Sequence, residues 1–168
     1  IRSSTASIVM SLMAAFGLSD IARLYVPSIG RLYTTLFGFL LRAHERNEKG
    51  RRLNGATYVL LAASILVAFF PKVIVISAFA ILIIADSSAA LIGRRFGKHR
   101  FMSKSLEGAS AFFLSALIVV AIAPKVDYLA AEYMIGAAGA LIGALVEASA
   151  IGIDDNLSIP LSVGGAMW

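Results

Sequence analysis

The polar residues that stand out in this sequence are those lodged where an apolar chain should have none. Asp86 lies inside a long apolar run, seven residues before Gly93 and so about 10 Å below that helix end at the rise of an α-helix. A carboxylate at that depth in lipid is costly; it marks a functional site or pairs with a basic residue to lock two helices. Asp86, Ala89, Ala90 and Gly93 share one helical face, whose small residues let a backbone or a ligand approach the carboxylate. An ionised oxygen there suits two jobs, accepting a proton from a hydroxyl or holding a divalent cation. The spacing does not separate them.

Downstream, Gly93, Arg94, Gly97 and Lys98 combine flexible backbone with cations, the ingredients of a phosphate cradle. The run is not a Walker A loop. That motif places four residues between its glycines and follows Gly-Lys with Ser or Thr, whereas three separate Gly93 from Gly97 and His99 follows Lys98. Basic loops beside membrane helices also serve to set topology or to touch anionic headgroups. Lys104 and Ser105 open a further helix through Glu107 and Gly108, whose free N–H groups and partial positive charge suit a phosphate. Glu107 in that first turn answers the helix dipole, orients Lys104 or helps to hold Mg²⁺. Later, Gly136, Gly139, Ala140, Gly143, Ala144 and Glu147 form a stripe of small residues ending in a carboxylate, a mark of close helix packing in lipid. If that helix continues, Asp154 falls two turns further on the same face. Asp154, Asp155 and Asn156 then offer the hard oxygen ligands that Mg²⁺ prefers; the plain alternative is a polar loop before Pro160. Arg42, Glu45, Asn54, Gly55 and Tyr58 make another polar set near the membrane. Alone, an Arg–Glu pair three apart is surface decoration, and so are Asp20 and Arg23. His44 and His99 are solitary and read as solvated.

These residues must be held by membrane helices. Of 168 residues, 59% are apolar, and mean hydropathy is +0.85. A soluble domain holds about 45–50% apolar residues. The excess comes in long runs at 4–18, 54–70, 72–93, 106–123 and 131–152, with a last stretch after Pro160. The segment 24–41, interrupted by Pro27 and Arg31, reads as an interfacial amphipathic helix. The Asp20–Arg23 stretch reads as a loop-facing end of the first span. The expected fold is therefore all-α: a polytopic membrane helix bundle of about five spans plus the interfacial helix, one catalytic domain over 1–168. The chain opens at Ile1 without an initiator Met and stops at Trp168, so it reads as trimmed at both ends. The absence of cysteine excludes disulfides and thiolate metal sites.

Charge placement orients the bundle. The loop 42–52 carries Arg42, Arg46, Lys49, Arg51 and Arg52; the loop 94–104 carries Arg94, Arg95, Lys98, Arg100 and Lys104. The opposite side has only Lys72 and Lys125, so both basic loops are expected in the cytoplasm. One crossing out and one back brings Asp154, Asp155 and Asn156 to the same face. Cations and carboxylates then meet where a nucleotide could arrive from the cytosol and a lipid from the leaflet. Nucleic acid is not an expected partner, and the sequence leaves a homo-oligomer open.

Read together, four blocks resemble the CTP-dependent lipid kinase family that includes diacylglycerol kinase of the fungal type, dolichol kinase and phytol kinase. They are Leu41-Arg42-x-x-Glu45 with Asn54-Gly55-x-x-Tyr58; Asp86-x-x-Ala89-x-x-x-Gly93-Arg94-x-Phe96-Gly97; Lys104-Ser105-x-Glu107-Gly108; and Glu147 with Asp154-Asp155-Asn156-x-Ser158-Ile159-Pro160. They follow the family's order over about 42–160, and the first and last blocks look most like the diacylglycerol kinase branch. The resemblance implies CTP as donor, a membrane lipid alcohol (diacylglycerol, or a polyprenol such as dolichol) as acceptor, and Mg²⁺ held by Asp86 with Asp154 or Asp155. It gives the nucleotide to Arg42, Gly93, Arg94, Gly97, Lys98, Lys104, Ser105 and Gly108, with Asp86, Lys104 and Glu107 as the catalytic set and Glu45, Asn54, Glu147 and Asn156 as further polar groups of the site. The central block is also similar to phosphatidate cytidylyltransferase, but that family's C-terminal pattern is replaced here by Asp154-Asp155-Asn156. A non-catalytic membrane protein whose basic loops bind anionic lipid is the third reading, and the cost of an idle Asp86 argues against it.

Overall fold

The structure, a computed structural model, describes residues 2–26, 28, 35, 53–149 and 152–168. The basic loop 42–52, with Arg42, His44 and Glu45, and nearly all of the expected interfacial helix 24–41 lie outside the described residues. Helices α1 (Arg2–Tyr25), α2 (Gly55–Phe69), α3 (Lys72–Phe96), α4 (Leu106–Ile122), α5 (Ala130–Ser149) and α6 (Asp155–Met167) follow in order, with a two-stranded hairpin, β1 (Arg100–Phe101) and β2 (Lys104–Ser105), between α3 and α4. The fold is an all-α membrane helix bundle. Helix α3, α5 and the Ala6–Tyr25 part of α1 are long and apolar enough to cross a membrane; α2 and α4 are shorter apolar helices. With 25 residues α3 reaches about 37 Å, beyond a hydrocarbon core of about 30 Å.

The chain divides into two compact units, 1–64 and 65–168. In the first, α1 runs on to Tyr25, so the Asp20–Arg23 stretch is helix and not the loop-facing end expected from sequence. Asp20 is only 1% exposed. Its Oδ2 accepts from the Asn54 N–H at 2.6 Å and from Thr57 Oγ1 at 3.0 Å, and its Oδ1 lies 2.7 Å from Arg23. A buried carboxylate thus takes up N–H and O–H donors at the start of α2, where a helix leaves its first amides without partners. This corrects the reading of Asp20 and Arg23 as surface decoration.

In the second unit, α3 packs on α4, α4 on α5, α5 on α6, and α6 returns to α3, closing a ring of four helices. Its interior is built from Ile81, Phe112, Val119, Ile159 and Val163 with many alanines, while Ile83, Leu91, Leu114, Ile118, Ile122 and Met134 face outward. Large apolar side chains outside and many alanines inside suit a bundle in lipid, where tails solvate leucine as well as a core does and close packing must hold the helices. The small-residue stripe does this within the chain. A Cβ on Gly136 would lie 2.6 Å from Val120, one on Gly139 3.0 Å from Met167, and one on Gly143 2.8 Å from Val163 and 3.1 Å from Phe112.

Two ends of the ring differ. At one, α4 stops and Lys125 donates to the carbonyls of Val120 (2.6 Å) and Ala123 (2.8 Å), while Glu132 accepts from the N–H groups of Val126, Asp127 and Leu129. A cavity of about 350 Å³ opens here among Pro71, Ile74, Pro124 and Ile135. The other end carries the hairpin. Its turn residue Met102 has φ +52°, a left-handed conformation that costs a non-glycine residue on the order of 1–3 kcal/mol. Helix α5 is described as far as Ser149 and Gly152 turns the chain at φ +83°, so Asp154 caps a new helix instead of extending the Glu147 face. The last helix also starts earlier than expected, at Asp155, and carries Pro160 within it.

Substituting Gly143→Val places a branched side chain against Val163 and Phe112. We expect a loss of about 1–3 kcal/mol, read as a lower melting temperature in detergent, because side chains on two other helices must give way. An unchanged melting temperature contradicts the close α4–α5–α6 packing.

Candidate active site

Lys104 is the centre of the hairpin end. Strand β2 brings it across the end of α5, where its Nζ donates to Glu147 Oε1 at 2.8 Å and to Asp155 Oδ2 at 3.0 Å. Three chain segments far apart in sequence, β2, α5 and the first turn of α6, thus meet on one ammonium. The Glu147 side chain is 4% exposed, while those of Lys104 and Asp155 keep about a third of their surface. Half-burial works to lower the Lys104 pKa, but the hydrogen bonds and charges of Glu147 and Asp155 outweigh it and hold the pKa above its ordinary 10.5. Lys104 is therefore a cation at every physiological pH. Glu147 Oε2 is buried with no hydrogen-bond donor. The Asp86 carboxylate lies half-buried on α3.

Other expected residues are close by but engaged in building the end of the bundle. Ser105 caps α4 by accepting from the Gly108 N–H at 3.1 Å, and the Leu106 N–H donates to His99 O at 2.9 Å. Two of the amides that a helix N-terminus would offer a phosphate are thus taken by the chain itself. Gly93, Gly97 and Gly108 let α3 cross α4 closely. A Cβ on Gly108 would lie 3.2 Å from Ala89 O and 3.3 Å from Gly93 Cα, and one on Gly97 2.9 Å from Ser105. Arg94 donates through Nε to Ala90 O at 2.9 Å and is exposed, as is Lys98. Glu107 accepts from the His99 N–H and lies 2.7 Å from His99 Nδ1, so the histidine read as solitary has a partner. Asp154 caps α6, its Oδ1 accepting from Asn156 N at 3.0 Å and Asn156 Nδ2 at 2.8 Å. Asn54 lies in the other unit, its N–H on Asp20.

The hairpin is tied down by Ser103, which the sequence did not single out. Its N–H and its hydroxyl both donate to Ala148 O, at 3.0 and 2.6 Å. Among the described residues no group of three His, Cys, Asp or Glu side chains is gathered as a ready metal cage. Mg²⁺ on a nucleotide does not need one, since it keeps waters and binds through one or two carboxylates plus the phosphates. Glu147 and Asp155, both within 3.0 Å of the same ammonium, together with the unpartnered Glu147 oxygen, fit that requirement.

The ion pair has a signature in pH. Lys104 has a raised pKa in the folded chain, so its contribution to stability is complete below its unfolded value near 10.5 and is lost as pH rises through the folded value. Wild type should therefore lose its stability advantage over Lys104→Met only above about pH 10.5 in thermal melts. A difference between the two that is constant from pH 8 to 11.5 contradicts the pairing.

The chain is 32% identical over 145 residues to an uncharacterised protein of Rickettsia prowazekii (strain Madrid E), covering 85% of this chain and 71% of that one. It is 30% identical over 156 residues to CTP-dependent diacylglycerol kinase 1 of Schizosaccharomyces pombe, covering 84% and 70%. The protein of the same name from Eremothecium gossypii is 30% identical over 108 residues, 62% of this chain and 33% of that one. No family model and no solved structure matches.

Proposed function

This chain belongs to the family of CTP-dependent diacylglycerol kinases, and from that premise we propose that it transfers the γ-phosphate of CTP to the hydroxyl of diacylglycerol, giving phosphatidate. The observation that carries the reading is Lys104, a permanent cation fixed between Glu147 and Asp155 at the end of the bundle that also bears Arg94 and Lys98. Phosphoryl transfer asks a protein mainly for positioning and for neutralisation of charge on the transferred group. Lys104 is built for that, because both carboxylates aim a flexible side chain that would otherwise sample many rotamers.

The carboxylates around this single ammonium leave the cluster acidic, so the nucleotide enters as its complex with a divalent cation. Glu147 and Asp155 would hold that Mg²⁺, which supplies charge neutralisation on the phosphates. Asp154, whose Oδ1 caps α6, shapes the turn that presents Asp155. Arg94 and Lys98, exposed at the membrane surface, draw the nucleotide in. The proton of the lipid hydroxyl goes to Asp86, which lies below the end of α3 where an acceptor in the leaflet can reach it. By the charge of its loops this end of the bundle faces the cytoplasm.

The test is turnover by purified protein in detergent with CTP, Mg²⁺ and diacylglycerol. Lys104→Met should lower kcat by at least about 100-fold, as loss of one charge-stabilising donor does. Asp86→Asn, which keeps the shape and removes the charge, should lower it by about 100-fold to 10,000-fold, as loss of a general base does. Full turnover in both variants while they remain folded sinks the assignment. Offering a polyprenol beside diacylglycerol tests the acceptor: the reading requires diacylglycerol to be the better one.

A further inference from the structure

We propose that Ser103 is a positioning residue for the transfer, setting the place of Lys104 by tying the hairpin turn to the end of α5. The proposal rests on the reading of Lys104 as the phosphate-binding cation. Ser103 donates twice to one oxygen, Ala148 O, through its N–H at 3.0 Å and its hydroxyl at 2.6 Å. Ser103 precedes Lys104, and Ala148 follows Glu147. The tie therefore sits one residue from the Lys104–Glu147 pair on both of its strands of chain. Ala148 O is among the last carbonyls of α5, which have no partner within the helix, so the tie also meets a need of that helix end.

A second observation agrees. Met102, immediately before Ser103, is held at φ +52°. Met102 and Ser103 are the two loop residues between the paired Phe101 and Lys104, and such a hairpin turn needs a positive φ at its first residue, so the turn holds one defined geometry. The doubled bond of Ser103 anchors the second residue of that same turn. The Ser103 residue itself is exposed, so its side chain adds nothing to the apolar interior. What the hydroxyl contributes is direction: with the N–H alone the turn can pivot about one bond, and the long Lys104 side chain magnifies the movement at its Nζ. Displacement of a reacting or stabilising group by about 1 Å is enough to cost about 100-fold in rate.

The experiment compares Ser103→Ala and Ser103→Thr, each alone and with Lys104→Met, in the same detergent assay. Ser103→Ala should lower kcat about 10-fold, leave KM for diacylglycerol unchanged, and move the melting temperature by no more than about 4 °C. Ser103→Thr keeps the hydroxyl and should restore kcat. Added to Lys104→Met, Ser103→Ala should cause no further loss, because the residue acts only through that lysine. Wild-type kcat in Ser103→Ala, or losses that multiply in the double variant, overturn the proposal while leaving the kinase reading in place. Full activity in Lys104→Met alone is the different result, which removes the reading on which the proposal rests.

Discussion

Everything at the hairpin end of the second unit depends on one ammonium group between two carboxylates. Glu147 sits on a helix of the bundle with almost no exposed surface, and a charge in that place is tolerable only if it is answered. The answer comes from a strand of two residues. That strand can reach Glu147 only because the hairpin folds back over the end of α5, and the hairpin in turn requires the close α3–α4 crossing that Gly93, Gly97 and Gly108 permit. The α5–α6 turn then adds Asp155. Remove the lysine and a buried carboxylate loses its partner; loosen the crossing and the lysine no longer arrives.

The division of labour among the polar residues follows from the same geometry. A helix N-terminus and a glycine-rich loop look like phosphate ligands when read as strings, yet Ser105, Gly108 and Leu106 satisfy one another and His99. The side chains to which we assign the chemistry at this end are aimed but not used up: Lys104 with its exposed third, Asp155 with the same, and Glu147 with one oxygen unpartnered. The far end of the ring shows the contrast. Lys125 and Glu132 are also charged and also well bonded, but their hydrogen bonds run to nearby backbone of the same turn, which makes them locks for the loop.

Much of this was legible beforehand, for identifiable reasons. Spans in lipid announce themselves by length and hydropathy, so the five apolar runs became helices to within a few residues, the first excepted. Asp86 and Glu147 could be picked out because charge in an apolar context is rare, Lys104 because it opens a helix, and Asp155 because it belongs to an acidic triplet. What stayed hidden needs three dimensions. Nothing in the sequence says that Glu107 faces His99, because both lie in a charged loop where solvation is the simpler expectation. Asp154 was placed on a continued helix because periodicity carries no sign of where a helix stops; Gly152 was the available cue, and its left-handed φ ends the extrapolation. Asp20 looked like decoration because its partners, Asn54 and Thr57, are more than thirty residues away. Ser103 was passed over because a serine in a turn is ordinary until its acceptor is known.

The central claim is that this site moves the terminal phosphate of a nucleotide onto a lipid hydroxyl. The direct measurement supplies purified protein and Mg²⁺ with CTP labelled either at the γ-phosphate or at the α-phosphate, offering diacylglycerol and, separately, phosphatidate. The account predicts label from the γ-position alone, appearing in phosphatidate made from diacylglycerol. Label from the α-position, appearing with phosphatidate as acceptor, would mean that a different bond of CTP is broken and would contradict it.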